Sequence, residues 1–345
     1  MTTVSLLERQ KELAPSIYAE EAYGRAITAG SNRTWSVIAD SRNLWQMPVV
    51  FSPILQGGHE ASSPYGYSGI FADRSLSEVQ VEEYWEQTLQ LLRGSGVVSL
   101  FLRFPPFEYP GLGIDAFNGL KDLELELVSN TIEVATPTPE KVWSGLSGRA
   151  RTATRKALKL GMTAEVSRAS ELTLGANSVF RHLYETTMNR IGASDHHIYG
   201  DAYYSTLLAR MSDKIYVVNV TTHEGKPAAS AIMLLDSSIV HYHLSGSDPE
   251  EARNGANNLL VWTILEWTSR REFQSVHLGG GLTDGDSLFN FKNSFGGSSR
   301  EFWIGRAVID AERYSTLARV RAESLGTTLT HLKASGFFPI FRAKV

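Results

Sequence analysis

Residues Ile239 to Phe295 constrain this chain more than any other stretch. Ile239-Val-His-Tyr-His-Leu244 reads as a strand, and a small-residue turn follows at Ser245-Gly-Ser-Asp-Pro249. Gly255-Ala-Asn-Asn258 reads as a helix start leading into the apolar run Leu259 to Trp267. Ser275-Val-His-Leu278 is a short strand that breaks into Gly279-Gly-Gly281. Ser287 to Phe295 is a second helix, carrying one lysine between aromatic residues. A helix apolar over most of its length must be buried, and a strand–helix–strand succession buries it against a sheet.

The residues before this stretch extend the pattern. Thr136-Pro-Thr-Pro139 is a punctuated boundary and a helix start, and the domain junction is expected just after it. Arg149 to Lys159 holds five basic residues and no acid, with Arg151, Arg155 and Lys159 on one helix face. Gly161 ends that helix, and Thr163 to Val166 is strand-like. Val179 to Arg190 is a helix with the stripe Phe180, Leu183, Tyr184, Thr187 and Ile191. A polar loop at 194–197 precedes a helix from Tyr203 to Met211. Strands at Ile215 to Thr221 and Ala228 to Asp236 are joined by a hairpin turn at His223 to Pro227. The order is helix, helix, three-strand meander, helix, strand, helix.

The N-terminal part is also mixed. Residues 1–30 read as helical, with Glu8 to Leu13 turn-forming and Ile17 to Tyr23 amphipathic. Trp35 to Ala39 and Met47 to Phe51 read as strands, followed by the Tyr/Gly-rich Ser63 to Gly69. Glu78 to Leu92 is a helix with Val81, Tyr84, Trp85, Thr88, Leu89 and Leu92 on one side. Val97 to Arg103 is a buried strand, and Leu123 to Val134 is one or two more. A length of 345 residues makes two α/β domains the default. No internal repeat is visible.

Composition removes several functions. A formal charge of −4 argues against a protein that coats nucleic acid, while leaving room for a local basic patch. The absence of cysteine excludes disulfides, thiolate zinc sites and a cysteine acyl-enzyme. The first ten residues lack the pattern of a signal peptide, and no apolar run approaches the ~20 residues needed to cross a bilayer, so a cytoplasmic soluble protein is expected. Gly279-Gly-Gly281 is no dinucleotide fingerprint, since Asp284 stands where a glycine is needed, and Asp284-Gly-Asp286 is better explained as a glycine turn. No Gly-x-Ser-x-Gly elbow exists. His241 and His243 alternate along a strand and face one side, with Tyr242 opposite; no carboxylate completes a metal site, so none is assigned. A histidine facing a cleft can act as general base.

The element order is that of an acetyltransferase-type fold, in which a meander feeds a helix whose N-terminus faces a ligand phosphate. Gly255 and Ala256 would let backbone approach closely. The usual phosphate loop is altered, because Arg253-Asn-Gly-Ala256 has one spacer where two are usual. The chain resembles the FemABX-type, or Fem-like, branch of the Gcn5-related (GNAT) acyltransferases, which includes the peptidoglycan bridge aminoacyltransferases. The resemblance rests on Leu183 to Arg190, Tyr242 to Ser247, Asn257 to Trp262, Leu278 to Gly281 and Phe291-Lys-Asn-Ser-Phe295. It is weaker before residue 140, where Ser63 to Tyr67 carries it.

The resemblance implies two tandem GNAT-like domains, each a mixed central sheet flanked by helices. They are expected at 1–140 on the acceptor side and 141–310 on the donor side, with 311–345 returning to the first. It implies that Lys292 lies near the donor's reactive ester and that Arg190 meets an acceptor phosphate. An amine attacking an ester builds negative charge on the carbonyl oxygen, which a fixed cation in a dry cleft stabilises; Phe291 and Phe295 can form the dry wall. Tyr242 joins Lys292 and Phe291 as a catalytic candidate, and Ser245, Gly246, Gly255 and Asn257 are candidates for donor binding. Arg151, Arg155 and Lys159 are candidates for a tRNA backbone, or a solvated face. Tyr65, Tyr67, Tyr184 and Arg190 are candidates for the acceptor. No tightly bound cofactor is expected. The co-substrate is aminoacyl-tRNA or acyl-CoA, and the acceptor a small-molecule amine. A non-catalytic binding protein on the same fold is the alternative.

Overall fold

The computed structural model describes residues 3–10, 14–55, 57–193, 198–281, 283 and 285–344. The chain divides into two compact units, Met1–Val128 with Phe302–Val345, and Ser129–Glu301. The division between these units falls inside a single strand of 12 residues (Glu124–Ala135) and again inside a strand of 11 (Ser298–Val308). Nothing in a strand's own pattern marks where its neighbours change.

The first unit opens with β1 (Val4–Leu7), not the helix expected there; Val4 is buried, and the strand pairs antiparallel with the next one. α1 (Glu21–Thr28), β2 (Thr34–Asp40), β3 (Trp45–Pro53), β4 (His59–Ser62) and the two-residue β5 (Phe71–Ala72) follow. α2 (Glu78–Gly94) starts at a capping box in which Ser77 and Gln80 satisfy each other's backbone, and its buried face is the stripe expected from sequence. β6 (Val97–Arg103) then pairs parallel with β4. β7 (Glu124–Ala135) leads into the second unit.

The second unit continues with α3 (Pro139–Gly145), α4 (Gly148–Lys159), β8 (Thr163–Arg168), α5 (Glu171–Leu174), α6 (Val179–Arg190) and α7 (Asp201–Met211). The meander is β9 (Ile215–Thr221), β10 (Pro227–Leu235) and β11 (Ile239–Ser247). α8 (Pro249–Arg253) and α9 (Ala256–Ser269) lead to β12 (Ser275–Gly280), α10 (Ser287–Asn293) and β13 (Ser298–Val308). Ser245 to Ser247, expected as a turn, belong to β11, and the chain turns at Asp248, which caps α8. The sheet order here is β7-β12-β11-β10-β9-β8, antiparallel except between β11 and β12. Leu259, Leu260, Val261, Ile264 and Leu265 of α9 form the core with Val218, Met233, Val240 and Val276.

The chain ends in the first unit, where Ile304 to Val308 of β13 pair with β6, and α11 (Ala311–Ser324) and α12 (Leu329–Ala334) follow. Its strand order is β1-β2-β3-β4-β6-β13. Each unit is therefore a four-strand antiparallel run, a helix, a fifth strand parallel to the fourth, and an antiparallel sixth. Among the described residues, no helix is long and apolar enough to cross a membrane.

Candidate active site

β11 and β12 run parallel for three register pairs, Ile239 with Ser275, Val240 with Val276 and His241 with His277. Beyond that point the strands part. β11 stays paired with β10 as far as Ser247, while β12 stays paired with β7 as far as Gly280. The result is a fork within one sheet, open from Tyr242 on one prong and Leu278 on the other. Its floor is the ring pair His241 and His277, 5.7 Å apart and edge to face. Both rings are buried, at 0% and 1% exposure.

Lys292 of α10 spans this fork. Its Nζ donates to the Gly280 carbonyl of β12 at 2.6 Å and lies 6.0 Å from the Tyr242 ring centroid on β11. Asp286 caps α10 through the Phe289 N–H at 2.7 Å, which fixes where the lysine emerges. The lysine is 8% exposed. Burial lowers its pKa to about 8, against a partial opposing pull from the Asp286 carboxylate. Phe291 packs edge-on to the fully buried Phe295, with centroids 5.2 Å apart. Burial pushes the Tyr242 hydroxyl up to about 12, with a Ser245 hydrogen bond working the other way. The fork thus holds a cation, a neutral phenol and an aromatic wall.

The other donor-side candidates divide. Ser245 touches the fork through Tyr242. Asn257 Nδ2 donates to Ser247 Oγ at 3.2 Å and ties the start of α9 to the end of β11. Gly246 and Gly255 have packing reasons of their own. A Cβ on Gly246 would sit 2.4 Å from the Leu183 backbone of α6, and one on Gly255, at φ +98°, would sit 2.3 Å from the Ala153 carbonyl of α4. On α4, Arg151 donates to the Ser144 and Leu146 carbonyls, and Arg155 lies 5.2 Å over the Trp143 ring. Lys159 and Arg155 are exposed.

On the acceptor side, Tyr184 is buried in α6 and stacks on Phe180 at 5.5 Å, while Arg190 is exposed at the helix C-terminus. Tyr65 and Tyr67 lie in the first unit, in the loop after β4. Tyr67 meets Tyr18, Phe107 and Phe302 edge-on, and burial raises its pKa. Burial also raises that of Tyr65, opposed by Arg103, whose guanidinium lies 5.8 Å over the Tyr65 ring and 4.7 Å over Phe101.

One pair escaped sequence reasoning. The Tyr203 hydroxyl on α7 lies 3.0 Å from His243 Nε2 on β11. His243 was visible as an alternating strand residue, but no spacing links it to Tyr203, 40 residues earlier. Among the described residues no group of three or more His, Asp or Glu gathers as metal ligands would. The loop at 194–197 and Asp284 lie outside the described residues.

Residues 146–293 match the family model described as an acetyltransferase (GNAT) domain. The fold is similar to the crystal structure of FemX, with a TM-score of 0.67 at 14% identity, covering 87% of this chain and 94% of that one. It is also similar to the C-terminal domain of a putative lysylphosphatidylglycerol synthetase from Agrobacterium fabrum, with a TM-score of 0.54 at 14% identity, covering 79% and 84%. L-PGS from Bacillus licheniformis gives 0.54 at 11% identity, with the same coverage of 79% and 84%. No curated protein matches at the sequence level.

Proposed function

We propose that this chain, which resembles the Fem-type branch of the GNAT acyltransferases, moves an aminoacyl or acyl group onto an amine by direct attack. No covalent enzyme intermediate is needed. The observation that carries this reading is the nine-tenths-buried Lys292 ammonium spanning the β11–β12 fork. Evolution of a charge in such a place is expensive, and buried ionisable groups with lowered pKa concentrate at functional sites. A carbonyl entering the fork would meet the ammonium as its oxygen becomes negative, in surroundings dried by Phe291 and Phe295. Tyr242 and Ser245 line the β11 side and orient the donor.

Aminoacyl-tRNA is the donor we favour. The exposed cations of α4, including Arg155 and Lys159, suit a phosphate backbone, and the one-spacer Arg253-Asn-Gly-Ala256 departs from the usual coenzyme A loop. An aminoacyl group is also what a lysylphosphatidylglycerol synthetase, by its name, transfers. Such a donor is made in the cytoplasm, where the protein would act. Acyl-CoA is the second reading, favoured by the GNAT domain match and the net charge of −4. Arg190 and Tyr184, in the same unit as the fork, are proposed for the amine acceptor. The test is parallel incubation with a labelled aminoacyl-tRNA pool and with labelled acyl-CoAs, against a panel of amines. Amide formation that depends on Lys292 is expected. Binding of a donor with no transfer to any amine would make the chain a binding module.

A further inference from the structure

We infer that His243 accepts the proton of the attacking amine and that Tyr203 positions it, an inference that rests on the acyl-transfer reading above. The argument begins with register. Leu244 faces Ile232 and Tyr242 faces Met233, so His243 is the extra residue of a β-bulge in β11. Bulges re-aim a side chain out of the regular ladder. This one falls two residues past His241, the last residue of β11 that pairs with β12. The bulge and the opening of the fork therefore coincide.

The histidine is held. Tyr203 Oη lies 3.0 Å from Nε2, and Tyr203 is itself fixed by Tyr199, stacked at 4.1 Å, and Tyr204, edge-on at 5.1 Å. A base oriented by a second group at hydrogen-bond distance is the arrangement that proton transfer needs. Of the three clustered histidines, His241 and His277 are sealed, and His243 alone keeps part of its surface. Burial and the neighbouring His241 lower its pKa to about 3, so the ring is neutral but weakly basic at pH 7 and carries the proton only in transit to the leaving group.

The two faces of β11 then have separate tasks. Tyr242 turns toward Lys292 and the core beneath α9, whereas His243 turns toward α7. On this inference a carbonyl entering the fork would have the ammonium on the Tyr242 side of β11 and the imidazole on the α7 side. Attack forms the N–C bond, the amine proton passes to the His243 imidazole, and the C–O or C–S bond to the carrier breaks. The imidazolium returns that proton to the departing oxygen or sulfur, so the ring ends as it began.

The test uses the full chain, with an aminoacyl-tRNA pool and acetyl-CoA as probe donors. Two amines are compared, both reacting as the free base: a primary alkylamine, whose nitrogen holds its proton tightly once bonded to the carbonyl carbon and needs an acceptor, and methoxyamine, whose nitrogen is far more acidic in the same adduct and sheds its proton to water. His243→Gln is expected to lose about 100-fold in kcat with the alkylamine, with at least a tenfold smaller deficit with methoxyamine. Tyr203→Phe should follow the same amine dependence at about tenfold, mostly in kcat rather than KM. Equal deficits with both amines would make the pair a strut between α7 and β11 and overturn the inference. So would an undiminished His243→Gln enzyme while Lys292→Ala is dead, leaving the acyl-transfer reading intact. A wild type inert toward both donors and both amines would sink both.

Discussion

The two units wind one strand order round two different parallel pairs. In the first, β4 and β6 pair from His59 to Ser62, and the backbone then seals the gap. The Ser63 N–H donates to the Phe101 carbonyl at 2.8 Å, the Arg103 N–H to Ser63 Oγ at 2.9 Å, and the Ser68 N–H to the Arg103 carbonyl at 2.9 Å. In the second, β11 runs on to Ser247 without β12, and the gap holds a lysine ammonium. The same topology is thus closed in one unit and chemically furnished in the other. The two units differ in what replaces the lost strand partner: in the first, amides, carbonyls and the Ser63 hydroxyl that satisfy each other, and in the second, a buried ammonium.

The sharpest way to break this contrast is to empty the open fork. Lys292→Ala is expected to reduce turnover by about 100- to 1,000-fold, the usual loss when one transition-state donor is removed. Its melting temperature should change little by comparison. Full activity in that variant, measured as amide formation, would remove the lysine from the chemistry.

The next effect is one of sign. Because Lys292 titrates at about 8, a cationic role requires activity to fall as pH rises through that value, approaching tenfold per pH unit beyond it. Lys292→Arg keeps its charge and should flatten that limb, although a guanidinium fits the space less well. If Lys292 acted as a base, activity would instead rise through the same pH. The profile of kcat separates the two.

A third variant tests why the open fork stays open. β11 is held against α6 by the close approach at Gly246 and by Thr187 Oγ1, which accepts from the Ser247 N–H at 3.0 Å. Gly246→Ala forces a methyl group into the Leu183 backbone and should cost about 1–3 kcal/mol, measured by denaturant unfolding. Loss of activity beyond that expected from stability would show that the prong has moved. An unchanged midpoint would mean that α6 yields freely and does not hold the strand.

Much of this was legible in the sequence where period and caps speak locally. The apolar face of α2, the meander, the apolar α9 and the lysine between Phe291 and Phe295 could all be read in order. The tandem α/β architecture followed from element order and from the resemblance together. What stayed hidden depends on partners distant in the chain. β1 looked like part of a helical start, because four residues cannot show that their neighbour is a strand some 30 residues on. The duplicated topology left no repeat, since strands of one order can be built from unrelated side chains. Gly246 and Gly255 drew attention as ligand glycines, yet the groups crowding them are Leu183 and Ala153, whose proximity no local pattern records. His243 was seen, but neither its bulge nor Tyr203 was.

The smallest expected effect concerns the energetic burden of the charge that distinguishes the open fork. A pKa lowered from 10.5 to about 8 corresponds to about 3 kcal/mol of disfavour for the ammonium in the folded state. The sign follows from proton counts. Below pH 8 both folded and unfolded chains carry the charge, and the penalty is complete. Between 8 and 10.5 the unfolded chain binds the proton more tightly, so stability rises with pH until the penalty is gone. Lys292→Met removes the charge along with the hydrogen bond to Gly280, which offsets about 1–2 kcal/mol of the gain. The variant should therefore be about 1 kcal/mol more stable than the parent at pH 7, and the difference should shrink or reverse by pH 10. Urea midpoints at the two pH values measure it. A Met variant less stable at pH 7 than the parent would mean that the ammonium is well solvated by the fork, and that the open unit carries its charge at no expense relative to the sealed one.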